Sequence, residues 1–515
     1  MRRIGRGLVI GRHRVFTALF LAGVLLRVLT TMAYWPAMEF VQDSFDYLYD
    51  ARNFEPGIIR PFGYPLFLRL LSMVGHLAVV PLIQHVLGLS MGVLLYALVR
   101  RLGARPGLAA LAAAPVLLDP YQVHLEHFLM AETLFASLLV GALALLLWHE
   151  RPSPLACVGA GLALAAAALT RTAGVFLLVP AVAFLLLRRT GWRRVLAATG
   201  AAVTLLAAYM TWFQSVHGRF SIAAYEGYFL AGRVAPFADC SRFPVPPEER
   251  YLCDDRPPGQ REGSDWYVWS PESPMRRESV PPGTDRNEVA GSFARRAIRY
   301  HTKDYLNLVA DDLLRYFSPG RHTGPTDNPV QSWQFQTSYD PERWKRLYPP
   351  EDPYVHQWTW PGTAAYYNTT LARHGFDFEK VRPRFHAGLG RALHEYQERV
   401  YTPGPLLGLF AALGLLAGIG RLPPALRRLR WSAALFGTSA LLILVTAATT
   451  TTFDYRYLLP TLPLLAPAGA LGASLLSERL RLREEPSAPT EAPDEAPVVS
   501  DRPPAAALAY ESEDR

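Results

Sequence analysis

Charge is what this sequence is short of. Asp, Glu, Lys and Arg make up 19% of its 515 residues, against roughly 25% in an ordinary soluble chain. The shortage is uneven, because long uncharged runs occupy most of 15–213 and 403–477. A bilayer core takes roughly 20 mostly apolar residues per helix, and a soluble domain has no way to cover so much aliphatic surface. Cysteine is scarce too. There are three, with no CxxC pair and no His-rich run, which excludes the usual zinc frameworks. No small-residue cleavage site follows the first apolar run, Val15 to Tyr34. That run is also too long for the h-region of a signal peptide, so it reads as a retained first span. No internal repeat of the kind common in transporters is visible.

The net charge of +8 would suggest nucleic acid if the basic residues formed a face. They cluster instead in short segments between apolar blocks, which is the positive-inside pattern, and nucleic acid is not an expected partner. The expected spans are 15–34, 78–99, 106–118, 129–148, 154–170, 173–187, 193–213, 403–420, 431–450 and 457–477. With the N-terminus in the cytoplasm, the cytoplasmic segments hold Arg100, Arg101 and Arg105; Arg151; Arg188, Arg189, Arg193 and Arg194; Arg421, Arg427, Arg428 and Arg430; and Arg479, Arg481 and Arg483. The opposite turns near 119–128, 171–172 and 452–456 are poor in Lys and Arg. The charge rule and the hydropathy therefore agree.

The expected fold class is an α-helical polytopic membrane protein with about ten transmembrane helices, in the plasma membrane, both termini cytoplasmic. Its parts are an N-terminal transmembrane module 1–213 with a first exterior loop 35–77, an extracytoplasmic loop domain 214–402 of mixed α/β or mostly irregular structure, transmembrane helices 403–477, and a tail 478–515. The tail, rich in Pro, Ala and acid from Glu484 on, is expected to be disordered. The large loop carries Trp266, Trp269, Trp333, Trp344, Trp358 and Trp360, more than a plain linker needs. Residues 287–317 have helical spacing, with Phe293, Ala297, Tyr300, Leu308, Leu313 and Phe317 on one stripe. Cys240 and Cys253 would face an oxidising compartment, where a disulfide stapling a Pro-rich loop persists; two free thiols are the other reading.

The sharpest signal lies just after the first span, in Phe40-Val-Gln-Asp43-Ser-Phe-Asp46-Tyr-Leu-Tyr-Asp50. At 100° per residue Asp43, Asp46 and Asp50 share one face of an amphipathic interfacial helix, with Tyr47, Leu48, Ala51 and Phe54 towards another. Asp50 is expected to be solvated. Asp43 stands at the mouth of the span, where an unpaired charge is costly. Then Pro61 and Pro65 bracket Gly63 and force a break between two juxtamembrane helices. Arg60 beside them suits either a phosphate or a helix end. Arg171 and Arg456 sit at outer ends of spans, where cations are otherwise rare; they either snorkel or meet a phosphate. Glu132, His124, Glu126 and His127 add polarity at the same edge, and the two histidines are expected to be interfacial rather than catalytic.

These segments resemble the GT-C membrane glycosyltransferases, in particular the bacterial relatives of protein O-mannosyltransferases and lipid A aminoarabinose transferases. The resemblance rests on Asp43-Ser-x-x-Tyr47, on Arg60-Pro-Phe-Gly-Tyr64-Pro-Leu-Phe-Leu68, on Met130-Ala-Glu132-Thr-Leu-Phe135, on Leu169-Thr-Arg171-Thr-Ala-Gly174 and on Asp454-Tyr-Arg456-Tyr457-Leu-Leu-Pro460. Thr172 departs from the proline usual in the fourth of these. The segment Gly232 to Cys240 is similar to that of actinobacterial members. Over 1–213 and 403–477 the resemblance implies a lipid-linked donor, usually a sugar on a polyprenyl phosphate, and transfer to a protein, glycan or lipid acceptor outside the cytoplasm.

It implies Asp43 as the general base, with Asp46 as the other candidate or as a group that orients Asp43 or a divalent cation. It implies substrate contacts from Arg60, Tyr64, Glu132, Arg171, Arg456 and Tyr457. The only cofactor it leaves open is a divalent cation, and two carboxylates one turn apart do not make a metal site alone. A transporter or flippase of a lipid-linked precursor is the alternative, and a non-catalytic envelope scaffold the third reading.

Overall fold

The computed structural model describes residues 2–38, 40–270, 272–277, 284–321, 330–338, 384–419, 423 and 426–484. Trp344, Trp358, Trp360 and the tail from 485 on lie outside them. The chain divides into a compact unit, Met1–Leu476, and a second unit, Ser477–Arg515.

The first unit is a helical bundle built from the apolar runs. Helix α1 (Arg2–Ala33) is followed by α2 (Val41–Asn53), α3 (Gly63–Ser72), α4 (Val79–Arg101), α5 (Pro106–Leu118), α6 (Pro120–His127), α7 (Glu132–Leu147), α8 (Pro154–Thr170), α9 (Leu178–Leu187) and α10 (Trp192–His217). Local chemistry sets the boundaries. Pro106, Pro120 and Pro154 each stand in a first turn, where a missing N–H costs nothing. Ser153 and Asp119 accept from backbone N–H groups of α8 and α6. Asp119 precedes Pro120 and is extended, with ψ 119°, so α5 and α6 are bent by 46°.

Among the described residues five helices are long and apolar enough to cross a membrane, and seven if each of two bent pairs is one span: His13–Ala33, Val79–Arg101, Trp192–His217, Arg427–Thr450, Tyr455–Arg481, and the pairs Pro106–Leu118 with Pro120–His127 and Ala387–Arg399 with Gly404–Ala417. The three remaining expected spans coincide with shorter apolar helices, Glu132–Leu147, Pro154–Thr170 and Thr172–Leu187. The chain is a multi-pass membrane protein, and length and composition support fewer crossings than the ten expected.

After α10 come α11 (Glu226–Val234), α12 (Ser264–Trp269), α13 (Pro274–Arg277), α14 (Arg286–Tyr300) and α15 (Thr302–Tyr316). Tyr225, Phe243, Tyr267 and Phe293 centre a hydrophobic cluster of their own. Cys240 and Cys253 form a disulfide, Cα to Cα 6.0 Å. The single stripe expected over 287–317 is interrupted. His301 leaves helical geometry (φ −116°, ψ 38°), so α14 buries Phe293 and Ala297 while Tyr300 is 49% exposed. The buried pair of Arg233 with Asp312, 2.5 Å apart, ties α15 to α11.

The C-terminal helices are α16 (Ala387–Arg399), α17 (Gly404–Ala417), α18 (Arg427–Thr450) and α19 (Leu462–Glu484). Strand β1 (Tyr34–Trp35), at the end of α1, pairs antiparallel with β2 (Arg384–Phe385). Among the described residues of 214–402 the structure is helical and irregular apart from β2.

The up-and-down alternation of helices joined by short turns brings the ends of α1, α6, α8 and α18 and the starts of α4, α7 and α17 to one end of the bundle. Close packing there and along the spans uses glycine: a Cβ at Gly161 of α8 would stand 2.1 Å from the Ala198 carbonyl of α10, and one at Gly63 2.5 Å from that of Leu169. Without a hydrophobic drive between helices in lipid, such contact is what holds spans together. Gly161→Val should therefore cost about 1–3 kcal/mol by overpacking, read as a lower melting temperature in detergent; an unchanged melt would remove the contact from that role.

Candidate functional site

Helix α2 has a buried edge, with Tyr47, Leu48 and Ala51 at most 4% exposed, and its C-cap Phe54 turns out into the left-handed region. That seating puts Asp43 inward. The carboxylate is buried and gripped from both sides: Arg60 Nη2 donates to Oδ1 at 2.6 Å, and Arg456 Nη1 donates to Oδ2 at 2.6 Å. Arg60 reaches Asp46 as well, at 2.8 Å. It caps no helix end; it links two carboxylates one turn apart.

Arg456 opens the 3-10 turn Tyr455–Thr461, which leads into α19. Asp454 caps that turn by accepting from Arg456 N and also faces the Arg456 guanidinium at 3.0 Å. Glu132, in the first turn of α7, is held by Arg171 and lies 4.0 Å from Arg456 Nε. Its other oxygen, Oε2, is buried without a hydrogen-bond partner among the described residues. Arg171 and Arg456 each lie 5.2 Å from the Tyr457 ring, and Phe40 and Trp333 stand 5.3 and 5.4 Å from the Arg456 guanidinium. Tyr64 donates to Gln84 at 2.9 Å and packs edge-on against Tyr47, which faces Arg60. The eight site residues expected from the sequence therefore form one contiguous cluster, with Tyr64 at its edge.

Two expectations change. Asp50 is half-buried rather than freely solvated, because α2 beds into the chain around Gly57, whose Cβ would sit 2.2 Å from its carboxylate. His124 and His127 are buried in the protein rather than interfacial, at most 1% exposed, and Glu126 between them is buried too. Glu126 pairs with Arg27 and His85, and His124 Nδ1 donates to the Trp333 carbonyl at 2.9 Å, so these groups find partners inside the protein, while His124 Nε2 is buried without a hydrogen-bond partner among the described residues. Sequence reasoning missed Arg27, Gln84 and His85. The signal was a lone cation and a polar pair inside apolar runs, and intramembrane ionisable residues are rarely idle.

The carboxylates are tuned apart. Burial pushes Asp43 up, but the Arg456 and Arg60 guanidiniums outweigh it and hold the group below the usual carboxylate range. Burial pushes Asp46 up to about 7, opposed by Arg60 and helped by the Asp43 charge. Burial, with Asp46 adding, takes Asp50 to about 8. Near neutral pH Asp43 is ionised while Asp46 is titrating, the kind of divergence that separates acid from base roles. Among the described residues no group of three or more His, Cys, Asp or Glu is placed to hold a metal.

Fold and site together define a multi-pass helical membrane protein with a buried acid–base cluster at one end of its bundle. Residues 60–213, from Arg60 into the last turns of α10, match the model of a family described as dolichyl-phosphate-mannose-protein mannosyltransferase. Over that stretch the resemblance drawn from the motifs is shown. Among solved structures, the archaeal oligosaccharyltransferase AglB from Archaeoglobus fulgidus, in complex with an inhibitory peptide and a dolichol-phosphate, is 14% identical with a TM-score of 0.39, over 91% of this chain and 51% of that one. ArnT from Cupriavidus metallidurans, bound to undecaprenyl phosphate, is 16% identical with a TM-score of 0.33, over 92% of this chain and 79% of that one. The chain thus spans about half the length of the archaeal protein. No curated protein matches it.

The raised Asp46 has a consequence for stability. In the unfolded chain it ionises from about pH 4, whereas in the fold it keeps its proton until about 7. Over that window the unfolded state gains and the native state loses ground, so the contribution of Asp46 to stability falls as pH rises. Asp46→Asn should show a shallower decline of melting temperature between those two pH values; parallel curves for the two proteins would show that Asp46 is not raised.

Proposed function

We propose that the chain is a membrane glycosyltransferase moving a sugar from a polyprenyl-phosphate-linked donor to an extracytoplasmic acceptor. The observation that carries this reading is the seating of Asp43 between Arg60 and Arg456, beside the Glu132 and Arg171 pair, at one end of the apolar bundle. The family match over 60–213 supports it independently. A lipid-linked donor needs an apolar berth for its tail and cations for its phosphate. The reaction also needs a carboxylate to take the acceptor's proton, and this end of the bundle gathers the carboxylate and the cations.

In the proposed step Asp43 accepts the proton of the acceptor hydroxyl as its oxygen bonds to the anomeric carbon. The bond from that carbon to the phosphate oxygen breaks, and polyprenyl phosphate leaves with the electron pair. Inversion follows from the single displacement. Arg171, whose side chain is 21% exposed against 9% for Arg456, is the guanidinium best placed to meet the incoming phosphate, a bidentate match. Arg60, Arg456, Tyr64 and Tyr457 would complete the lining, and Glu132 Oε2 is a free acceptor for a sugar hydroxyl. On this reading the polar end faces away from the cytoplasm, residues 214–402 form the extracytoplasmic domain, and both termini are cytoplasmic. The acceptor is a protein, glycan or lipid hydroxyl.

The transporter alternative asks for ionisable groups near mid-bilayer. The Arg27 and Glu126 pair is inside the bundle, yet Arg27 precedes the end of α1 by six residues, about 9 Å at 1.5 Å per residue. It adjoins the same polar end.

Asp43→Asn should lower sugar transfer from a polyprenyl-phosphate donor by about 10²–10⁴-fold with normal membrane insertion, and Asp46→Asn by much less. Equal turnover in Asp43→Asn and wild type would remove the base assignment. The proposal includes no cofactor, the phosphate charge being met by guanidiniums. Transfer should therefore persist in excess EDTA, and its loss, restored by one divalent cation, would place a metal with Asp46 instead.

A further inference from the structure

A second charged cluster lies deeper than the first. Glu126, at the end of α6, is fully buried, and Arg27 of α1 grips both its oxygens at 2.8 Å. The remaining Arg27 N–H groups donate to the carbonyls of Gly23, Leu117 and Val116 at 3.1, 2.9 and 3.0 Å. The last two are C-terminal carbonyls of α5 that the bend at Pro120 leaves without helical partners. Gln122 and His85 complete the shell at 3.1 and 3.0 Å. Helix α4 makes room for the carboxylate at Gly88, where a Cβ would fall 2.0 Å from Glu126 Oε1.

The backbone that follows Glu126 touches the candidate site on two sides. Gln84 donates to the carbonyls of Glu126 and Phe128 at 2.8 and 2.6 Å while accepting from Tyr64. Met38 N donates to His127 O at 3.0 Å, and Leu129 N to Met38 O at 2.9 Å. The Leu129 carbonyl then accepts from Ser44 Oγ, which itself accepts from Phe40 N. Ser44 is the neighbour of Asp43, and two residues beyond Met130 the chain reaches Glu132. The same few peptide groups set the start of α2 and the start of α7.

We infer that Glu126, clamped by Arg27 and housed at Gly88, is a positioning residue that sets Asp43 against Glu132 through the backbone of 126–130. It touches no substrate. Its effect is on where two groups of the site stand, and a displacement of about 1 Å is enough to cost on the order of 10²-fold in rate.

The turnover arm of the test rests on the transferase reading; the exchange arm does not. In Glu126→Gln, which keeps the volume but loses one of the two guanidinium acceptors, hydrogen exchange at the Met38 and Leu129 amides should quicken. Transfer kcat should fall by about 10–100-fold, with donor KM within about threefold, the split expected when geometry rather than binding is lost. Gly88→Ala should do the same by pressing on the carboxylate. Adding Glu126→Asp, one methylene shorter, should recover kcat in part, a rescue that a general loss of stability does not give.

Unchanged exchange at those two amides, or a double variant no better than Gly88→Ala, overturns the inference. Should Glu126→Gln fail to fold, the Gly88 pair decides alone. If wild type shows no transfer from any polyprenyl-phosphate sugar, the transferase reading fails, and the exchange result still decides whether Glu126 positions Asp43.

Discussion

A charge surrounded by helices and lipid has to find its counter-charge inside the protein, and the Asp43 carboxylate finds two. Arg60 comes from the segment just after it; Arg456 comes from 413 positions further along the chain. That second contact joins the first loop to the start of the last helix. The break at Pro61 ahead of α3, the 3-10 entry into α19 and the aromatic groups around Arg456 all make sense as the supports such a contact needs. Withdrawing one guanidinium would leave the buried carboxylates around it short of positive charge, which is far more damaging than never having had the pair.

Stability alone is a poor reason to keep this arrangement. Apolar groups of similar volume often hold a buried site as well as an ion network does, because the desolvation of the ions consumes most of their attraction. The cluster gathers Asp43, Asp46, Glu132 and Asp454 around Arg60, Arg171 and Arg456. On the proposed reading its place at one end of the bundle suits chemistry with a phosphate rather than packing alone.

Much of this was legible in the sequence, for identifiable reasons. Spans show because apolar length has no other use, and the ends of α4, α8 and α18 fall within a few residues of the hydropathy boundaries. Asp43, Arg60, Arg171 and Arg456 stood out because each breaks a local rule: a carboxylate at a span mouth, or a cation on the side poor in cations. Their mutual contacts were not legible, since they depend on how α2 docks on the turn before α19, which is tertiary packing. His124 and His127 were misjudged as interfacial because a run of polar residues after an apolar block looks the same whether it meets water or partners. Only the bend at Pro120, which turns α6 back into the bundle, distinguishes the two. The count of crossings also depends on such bends, because a broken helix and two short ones share one hydropathy profile.

On the proposed reading the electrostatics carry a built-in order of events. Each of the three guanidiniums of the site is already paired with a carboxylate, so an incoming phosphate has to compete for them. Asp43 flanked by two cations is a weak base, since the same guanidiniums that hold it in place hold its proton affinity down. A phosphate that draws Arg171 from Glu132, and Arg456 partly from Asp43, would raise the basicity of Asp43 at the moment a sugar is at hand. Without donor, the carboxylate stays inert towards passing hydroxyls, including water. The pairing that seats the first loop on the last helix would then also keep the base idle until there is something to transfer.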